Sequence, residues 1–238
     1  LLIIGSDGQV GKNLKHCCKE KNINFLALNK KLLDITDKEE VSKVVKESKP
    51  CIVINAAAYT NVEAAEDEYS SAYAVNSQGP LHLASICNEL SLPLVHISTD
   101  YVFDGKKDTP YNEEDPTNPL NNYGKTKLAG EENIQSTLDN FIILRTSWVF
   151  DKEGKNFMNA ILSQSLKRPS LRVVSDQFGA PTSAHSIAEA ILKICSINHS
   201  KKNFLSGVYH FSGKDYVSWY QFAQKILEIA SAEGLIAS

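Results

Sequence analysis

The residues best suited to proton transfer in this chain are a tyrosine and a lysine four positions apart. Tyr123 and Lys127 stand in the run Tyr-Gly-Lys-Thr-Lys, and on a helix this spacing places both side chains on one face. A free tyrosine has a pKa of about 10, too high for efficient acid–base work at neutral pH, and a neighbouring ammonium lowers it. The pair therefore predicts general acid catalysis. The alternative is an exposed surface pair, because the spacing is common by chance.

A second polar cluster follows the apolar run Leu94–Ile97. Ser98, Thr99 and Asp100 come directly after this predicted strand, and ligands in open α/β sheets bind beyond the carboxyl ends of strands. The hydroxyl of Thr99 can donate a hydrogen bond to a substrate carbonyl oxygen, and Asp100 can contact a sugar hydroxyl. The alternative for Asp100 is the cap of a turn or helix.

A glycine-rich turn near the start indicates a phosphate site. Gly5, Gly8 and Gly11 form a G-x-x-G-x-x-G pattern between a strand-like run and a helical pattern. In such loops the first glycine permits a tight turn, the second lets pyrophosphate approach the backbone and the third lets the helix pack on the strand. The helix N-terminus adds free N–H groups and a positive dipole end. The alternative is a tight turn without a ligand.

The residues after the second strand bear on the choice of dinucleotide. An NAD site places an acidic residue at this strand tip to hold the ribose 2′-hydroxyl, whereas here Asn29, Lys30 and Lys31 follow the strand. The two lysines favour a 2′-phosphate, and hence NADPH, with NADH as a second cofactor. The alternative is that both lysines are merely solvated. Asp34, further along, is expected near the adenine.

These residues are carried by strands that alternate with helices. Strands are predicted at Leu1–Ile4, Ile23–Leu28, Cys51–Ile54, Leu94–Ile97 and Phe141–Leu144, and helices at Val10–Lys21, Lys38–Lys46, Ser70–Glu89 and Asn122–Ile134. The alternation predicts an α/β fold, a Rossmann-type doubly wound parallel sheet with right-handed crossovers. The near-continuous apolar character of each strand is typical of a sheet covered on both faces.

After about Trp148 the pattern changes to fewer strands and more loops. Helices are predicted at Asn156–Leu166, Ser186–Ile197 and Trp219–Ala230, and short strands at Leu171–Val174 and Val208–Phe211. We therefore predict an NAD(P)-binding domain over residues 1–150 and a smaller C-terminal substrate lobe over residues 151–238. Some segments of the lobe are expected to return to the first domain.

Composition excludes several other classes of protein. With 42% hydrophobic and 22% charged residues the chain has the make-up of a soluble globular protein. A net charge of -3 provides no footprint for nucleic acid, and no apolar run reaches the roughly 20 residues of a membrane span. The five cysteines, an odd number without repeated spacing, favour a reducing cytoplasm over a disulfide framework. No CxxC or HExxH motif supports a metal, and a monomer or homodimer is expected.

Together these segments resemble the dTDP-4-dehydrorhamnose reductases of the extended short-chain dehydrogenase/reductase superfamily. The matching segments cover most of the chain in the family's order: GSDGQVG (5–11), LDITD (33–37), VINAAAYTNVEAAE (53–66), AVNSQGPLHLA (74–84), STDYVFDG (98–105), PLNNYGKTKLAGE (119–131), RTSWVF (145–150), NFMNAIL (156–162) and VVSDQFGAPTSA (173–184). RTSWVF and DQFGAPTSA are distinctive for this reductase rather than for the wider superfamily.

The resemblance implies a Rossmann fold with a nucleotide-sugar lobe, and reduction of the C4 keto group of dTDP-4-dehydro-L-rhamnose by NADPH or NADH. It also implies roles for individual residues. Gly8, Gln9 and Val10 would contact the pyrophosphate, and Asp34 and Ile35 would lie near the adenine. The ribose side of the cofactor would be lined by Ala57, Ala58, Tyr59 and Thr60. The sugar would contact Thr99, Asp100 and Trp148, and Tyr123 and Lys127 would serve both cofactor binding and catalysis. The alternative for Trp148 is a core tryptophan between the two lobes.

This chain departs from the family's pattern at few positions. The family often has Asp-Lys where this chain has Glu63 and Ala64. The family's chains also run longer, so we expect the substrate lobe to be incomplete here.

Some relatives are non-catalytic regulatory subunits of methionine adenosyltransferase, which tend to lose the segment at 145–150 that this chain retains. A related epimerase with tightly held NAD is a third possibility. The retained Thr99 and the Tyr–Lys pair favour the enzyme, because a binding subunit gains nothing from a proton donor.

Overall fold

The central feature of the computed structural model, which describes residues 1–200 and 205–236, is a parallel sheet. The strands are β1 Leu2–Ile4, β2 Leu26–Leu28, β3 Val53–Asn55, β4 Leu94–Thr99, β5 Phe141–Thr146, β6 Val149–Phe150, β7 Phe178–Gly179, β8 Thr182–Ser183, β9 Gly207–His210 and β10 Val217–Ser218. Six of them form one sheet in the order β2-β1-β3-β4-β5-β9, and each neighbouring pair is parallel. The predicted doubly wound α/β fold is confirmed. Strand order reverses between β1 and β3, the kind of switch point where such sheets bind ligands.

Helices cover both faces of this sheet. The helices of the described residues are α1 Gln9–Glu20, α2 Lys38–Ser48, α3 Ala64–Asp67, α4 Tyr69–Tyr73, α5 Gly79–Glu89, α6 Asn122–Thr137, α7 Phe157–Ser165, α8 Ala184–Ser200 and α9 Trp219–Ala232. The helix predicted over Ser70–Glu89 is interrupted, because a π-helical turn at Ala74–Gln78 joins α4 to α5. The start of α6 is fixed by the Asn121 side chain, which accepts from the Gly124 N–H.

The core has one layer on each side of the sheet. Leu2 and Ile4 of β1 point into a cluster with Leu83 of α5, whereas Ile3 between them points into a cluster with Leu14 of α1. This alternation is the two-residue period of a strand. Because both sets are buried, the strands carry apolar residues without interruption.

The C-terminal part contributes both to this sheet and to a smaller layer. Helix α8 packs against α1 in the second core layer, and β9 pairs with β5 at the edge of the sheet. Helices α7 and α9 form a separate small cluster around Ile161, Ala223 and Ile226. A division into two domains near residue 150 stays a prediction, within which Ala184–Ser200 and Gly207–His210 belong to the layers of the main sheet.

The strand predicted at Leu171–Val174 is wrong. These residues have no regular structure, and Leu171 and Val173 instead pack on the cluster between α7 and α9. Their alternating pattern therefore reflects burial against helices, without a neighbouring strand to complete a ladder. Within the described residues, no helix combines the length and apolar character that crossing a bilayer requires.

Candidate active site

The turn between β1 and α1 has the backbone of a phosphate-binding loop. Gly5 has φ of +81°, a conformation that residues with a side chain rarely adopt. A Cβ atom on Gly11 would overlap the carbonyl oxygen of Gly5, so only glycine lets α1 approach β1 this closely. Gly8 stands at the N-cap of α1, which has no side-chain cap and no acidic residue in its first turn. An anion is the natural partner for the N–H groups there.

A groove beside this loop crosses the switch point between β1 and β3. It is lined by Ile4, Gly5, Asp7, Gly8, Asn29, Lys30, Leu33, Asp34, Ile35, Ala56, Ala57, Ala58 and Val75. Half of the predicted cofactor residues therefore share one cavity, and the small side chains of Ala56, Ala57 and Ala58 line part of it. Lys31 is exposed and does not line the groove. The Asp34 carboxylate accepts from the backbone N–H and the hydroxyl of Thr36, which lowers its pKa.

Gln9 and Val10 take different positions in the first turn of α1. Val10 is buried in the core, so only its backbone is available to a phosphate. The Gln9 side chain accepts a hydrogen bond of 2.9 Å from Asn156 Nδ2, and Asn156 in turn caps α7. The phosphate turn is thus tied directly to the C-terminal part of the chain.

Asn76 holds the loop after β3, and sequence reasoning missed it. Its side-chain oxygen accepts from the Tyr59 N–H at 2.8 Å, and its amide donates to the Tyr59 carbonyl at 3.0 Å and to Thr126 Oγ1 of α6 at 3.1 Å. It belongs to the π-helical turn Ala74–Gln78, and such turns are frequent at functional sites. Asn76 thereby fixes Tyr59 and the neighbouring Thr60 against α6.

Thr99, Asp100 and Tyr123 meet at the carboxyl end of β4. Thr99 Oγ1 accepts from the Tyr101 N–H at 3.2 Å and donates to Asp100 Oδ1 at 3.1 Å. Burial raises the pKa of Asp100 to about 6. Burial also raises the pKa of Tyr123 above its ordinary value, opposed by a hydrogen bond with Thr99 and reinforced by the Asp100 charge. The Tyr123 phenol therefore carries its proton at neutral pH, as a general acid must.

Lys127 lies one turn further along the same face of α6 and is 1% exposed. Its Nζ donates to the Ile97 carbonyl oxygen at 2.7 Å and lies 3.2 Å from His96 Nε2. Burial lowers the pKa of Lys127 to about 8, against an opposing effect of Glu131. Burial has the largest effect on the pKa of Tyr123, and the lowering of that pKa by Lys127 stays a prediction.

A buried ion pair anchors α6 against the sheet behind these residues. Glu131, one further turn along the same face, is paired with Arg145 of β5, whose Nη2 lies 2.6 Å from Oε2, and it accepts from Ser98 Oγ of β4. Both charges are almost wholly buried, and removing one partner of such a pair is costly. The pair fixes the depth of Tyr123 and Lys127 above β4.

Trp148 lies between a glycine and a second tryptophan. Its ring stacks on Trp219 with centroids 3.4 Å apart and an angle of 6° between the planes, and a Cβ atom on Gly179 would collide with it. The residue has φ of +45°, which is strained for a side chain of this size. Trp148 therefore packs on Trp219, and its contact with a sugar stays a prediction.

Among residues 1–200 and 205–236, no group of three or more His, Cys, Asp or Glu side chains is arranged to hold a metal ion.

Comparison with known proteins agrees with this geometry. The family model described as the RmlD substrate binding domain matches residues 1–237. The chain is 42% identical to a dTDP-4-dehydrorhamnose reductase of Aggregatibacter actinomycetemcomitans over 99% of this chain and 81% of that protein. It is 40% identical to the spore coat polysaccharide biosynthesis protein SpsK of Bacillus subtilis over 100% of this chain and 82% of that protein.

A solved structure extends the comparison to three dimensions. The crystal structure of dTDP-4-dehydrorhamnose reductase from Bacillus anthracis in complex with NADP is similar at a TM-score of 0.91 and 37% identity, over 97% of this chain and 80% of that one. The sequence and the fold agree with those of these relatives, and the chain belongs to the dTDP-4-dehydrorhamnose reductase family.

Proposed function

We propose that this protein reduces the C4 keto group of dTDP-4-dehydro-L-rhamnose to dTDP-L-rhamnose, using NADPH and also accepting NADH. The observation that carries the proposal is the convergence of Thr99, Tyr123 and Lys127 at the carboxyl end of β4. The glycine turn lies at the same edge of the sheet, because it follows the carboxyl end of the parallel strand β1. The family relationship supports the same reaction, since relatives of this chain are named for it and one was solved with NADP.

The residues present fit a dinucleotide. A Cβ atom on Gly5 or Gly11 would overlap the backbone of Ala57 or Gly5, so the tight turn before α1 needs glycine at both positions. The first turn of α1 then offers its N–H groups to the pyrophosphate. Asp34 and Ile35 line the adenine end of the groove, and Ala57 and Ala58 its inner side. When bound, the nicotinamide supplies the hydride for C4.

The side chains around the carboxyl end of β4 neutralise the negative charge that develops on the C4 oxygen. Tyr123, protonated at neutral pH, donates its proton to that oxygen, and the Thr99 hydroxyl donates a hydrogen bond to it after turning from Asp100. The ammonium of Lys127 stabilises the phenolate that Tyr123 leaves behind. Asp100 and Trp148 hold the sugar, with Asp100 accepting from a hydroxyl.

One assay separates this function from its rivals. Purified protein mixed with NADPH and dTDP-4-dehydro-L-rhamnose should oxidise one NADPH for each sugar nucleotide reduced. A regulatory subunit would bind NADPH without consuming it, and an epimerase would change the sugar without net oxidation. Either of these outcomes contradicts the proposal.

The choice of cofactor should depend on Lys30 and not on Lys31. Lys30 lines the groove beside Asp34, whereas Lys31 is exposed outside it. We expect Lys30→Ala to weaken NADPH binding about 10- to 100-fold through the lost contact with the 2′-phosphate, since a hydrogen bond to a charged group contributes about 1.5–3 kcal/mol. NADH binding should remain nearly unchanged. Kd values from fluorescence titration measure this, with Lys31→Ala as the matched control. Equal losses for both cofactors in Lys30→Ala would refute the assignment.

Trp148 is expected to contribute to both packing and substrate binding. Truncation to alanine removes the stack on Trp219 and leaves a space against Gly179. We expect a loss of about 2–3 kcal/mol of unfolding free energy, below the roughly 3–5 kcal/mol of a fully buried tryptophan because the ring is partly exposed. KM for the sugar nucleotide should also rise while NADPH affinity holds. Urea unfolding and steady-state kinetics separate the effects, and an unchanged KM would assign Trp148 to packing alone.

Location and assembly are further proposals. A cytoplasmic enzyme is supported by the five free cysteines, Cys17, Cys18, Cys51, Cys87 and Cys195, since exposed and buried thiols persist unpaired in a reducing compartment. A nucleotide sugar is the small-molecule partner. We propose a monomer or homodimer, which sedimentation velocity measures directly.

A further inference from the structure

His96 and Asn55 form a buried hydrogen-bonded chain that ends at Lys127. Asn55 closes β3 and His96 lies in β4, and both are 0% exposed. Asn55 Nδ2 lies 3.0 Å from His96 Nδ1, and His96 Nε2 lies 3.2 Å from Lys127 Nζ. The chain continues backwards to the Ala57 N–H, which donates to Asn55 Oδ1 at 3.0 Å.

The backbone N–H of Ala57 fixes the direction of every hydrogen bond in this hydrogen-bonded chain. A backbone N–H can only donate, so the Asn55 oxygen must face Ala57 and the Asn55 amide must face His96. The amide nitrogen is a donor only, which makes His96 Nδ1 an acceptor. Burial holds the pKa of His96 well below its usual range, so the ring is neutral and carries its single proton on Nε2, toward Lys127.

We propose that His96 is a positioning residue for Lys127, held by Asn55 in the tautomer that presents Nε2–H to the lysine amine. This inference rests on the proposed function, in which Lys127 is the cation beside the Tyr123 phenolate. An ammonium has three donors and no acceptor, so an N–H aimed at Nζ favours the amine over the ammonium. The Ile97 carbonyl accepts from Nζ in either form. The chain thus sets both the place of Nζ and the ease with which it releases a proton.

The other charged groups around Lys127 are accounted for. Glu131, on its own helix, favours the ammonium but is already paired with Arg145 of β5. Asp100, at the end of β4, acts on Tyr123. His96 is therefore the neighbour whose proton position decides whether Nζ meets a donor or an acceptor.

The tautomer is tested in the protein without cofactor or substrate. In protein labelled with 15N-histidine, the ring nitrogen shifts should show His96 with its proton on Nε2 and no titration between about pH 6 and 9. His96→Gln identifies the resonances by removing them. Asn55→Asp offers only acceptors, so the His96 proton should move to Nδ1. A wild-type His96 with its proton on Nδ1, or one that titrates as a free histidine does, overturns the proposal.

The effect on Lys127 is tested by pH dependence. In the wild type we expect the reductase rate to fall as pH rises through about 8, since the ammonium form is needed and the pKa of Lys127 lies there. In His96→Gln the side-chain oxygen can accept from the ammonium, so this alkaline limb should move up by about one pH unit. Asn55→Asp should move it in the same direction. His16→Gln, at an exposed position, is the matched control and should leave the profile unchanged.

Failure of the inference is distinguishable from failure of the proposed function. If the wild type reduces the keto sugar but both variants keep the wild-type alkaline limb, His96 does not set the state of Lys127. If no variant or wild type reduces the sugar, titration of the Lys127 Nζ signal in lysine-labelled protein still decides, with Lys127→Met identifying the signal. An unchanged Lys127 pKa in both variants then overturns the inference.

Discussion

Tyr123→Phe should reduce kcat by about 10²-fold or more while leaving NADPH binding essentially unchanged. The substitution keeps the ring, its edge contact with Tyr101 and the packing of α6, and removes only the hydroxyl. General acid assistance of this kind is worth about 10²–10⁴-fold. The loss should therefore appear in kcat, because the proton is needed after the substrate has bound.

The measurement is a set of steady-state rates and NADPH titrations on three proteins. Tyr69→Phe, at an exposed tyrosine of α4, is the control for the chemical change itself and should match the wild type. If Tyr123→Phe turned over at nearly the wild-type rate, the proton would have another source. Asp100 would then be the leading candidate, since burial raises its pKa to about 6.

The sequence was informative where chemistry depends on short-range spacing. Tyr123 and Lys127 share a face because residues four apart on a helix must do so. The glycine spacing predicts the turn before α1 because the constraints on that turn act between residues close in sequence. The first five predicted strands all exist with shifted ends, since alternating burial on two helix-covered faces leaves a continuous apolar run.

What the sequence could not show depends on contacts between distant segments. The hydrogen-bond partners of the Lys127 Nζ come from β4, and the lowered pKa of Lys127 follows from its burial, which sequence spacing does not reveal. Asn76 acts through a π-helical turn that has the same apolar spacing as an ordinary helix. The run at Leu171–Val174 looked like a strand because a short apolar pattern does not say whether a neighbouring strand is there to pair with it.

The largest combined effect is expected from Lys127→Met, which should impair catalysis and cofactor binding together. Methionine fills a similar buried volume but cannot stabilise the phenolate of Tyr123 or donate a hydrogen bond to the bound cofactor. We expect kcat/KM to fall about 10²–10⁴-fold and the Kd for NADPH to rise about tenfold or more, as a charged hydrogen bond contributes about 1.5–3 kcal/mol. Stopped-flow reduction and fluorescence titration measure the two losses.

Stability decides whether these losses report on function. Replacing the ammonium removes the cost of burying a charge, while it also removes the hydrogen bond from Nζ to the Ile97 carbonyl, and these effects oppose each other. Tm should therefore change little. Lys125→Met, at an exposed lysine two residues earlier on α6, is the matched control and should retain wild-type rates and NADPH affinity. A Lys127→Met protein that kept full NADPH affinity and lost only kcat would mean that the lysine serves the tyrosine and not the cofactor. One that lost both together with a large drop in Tm would mean that its role is to hold α6 on β4.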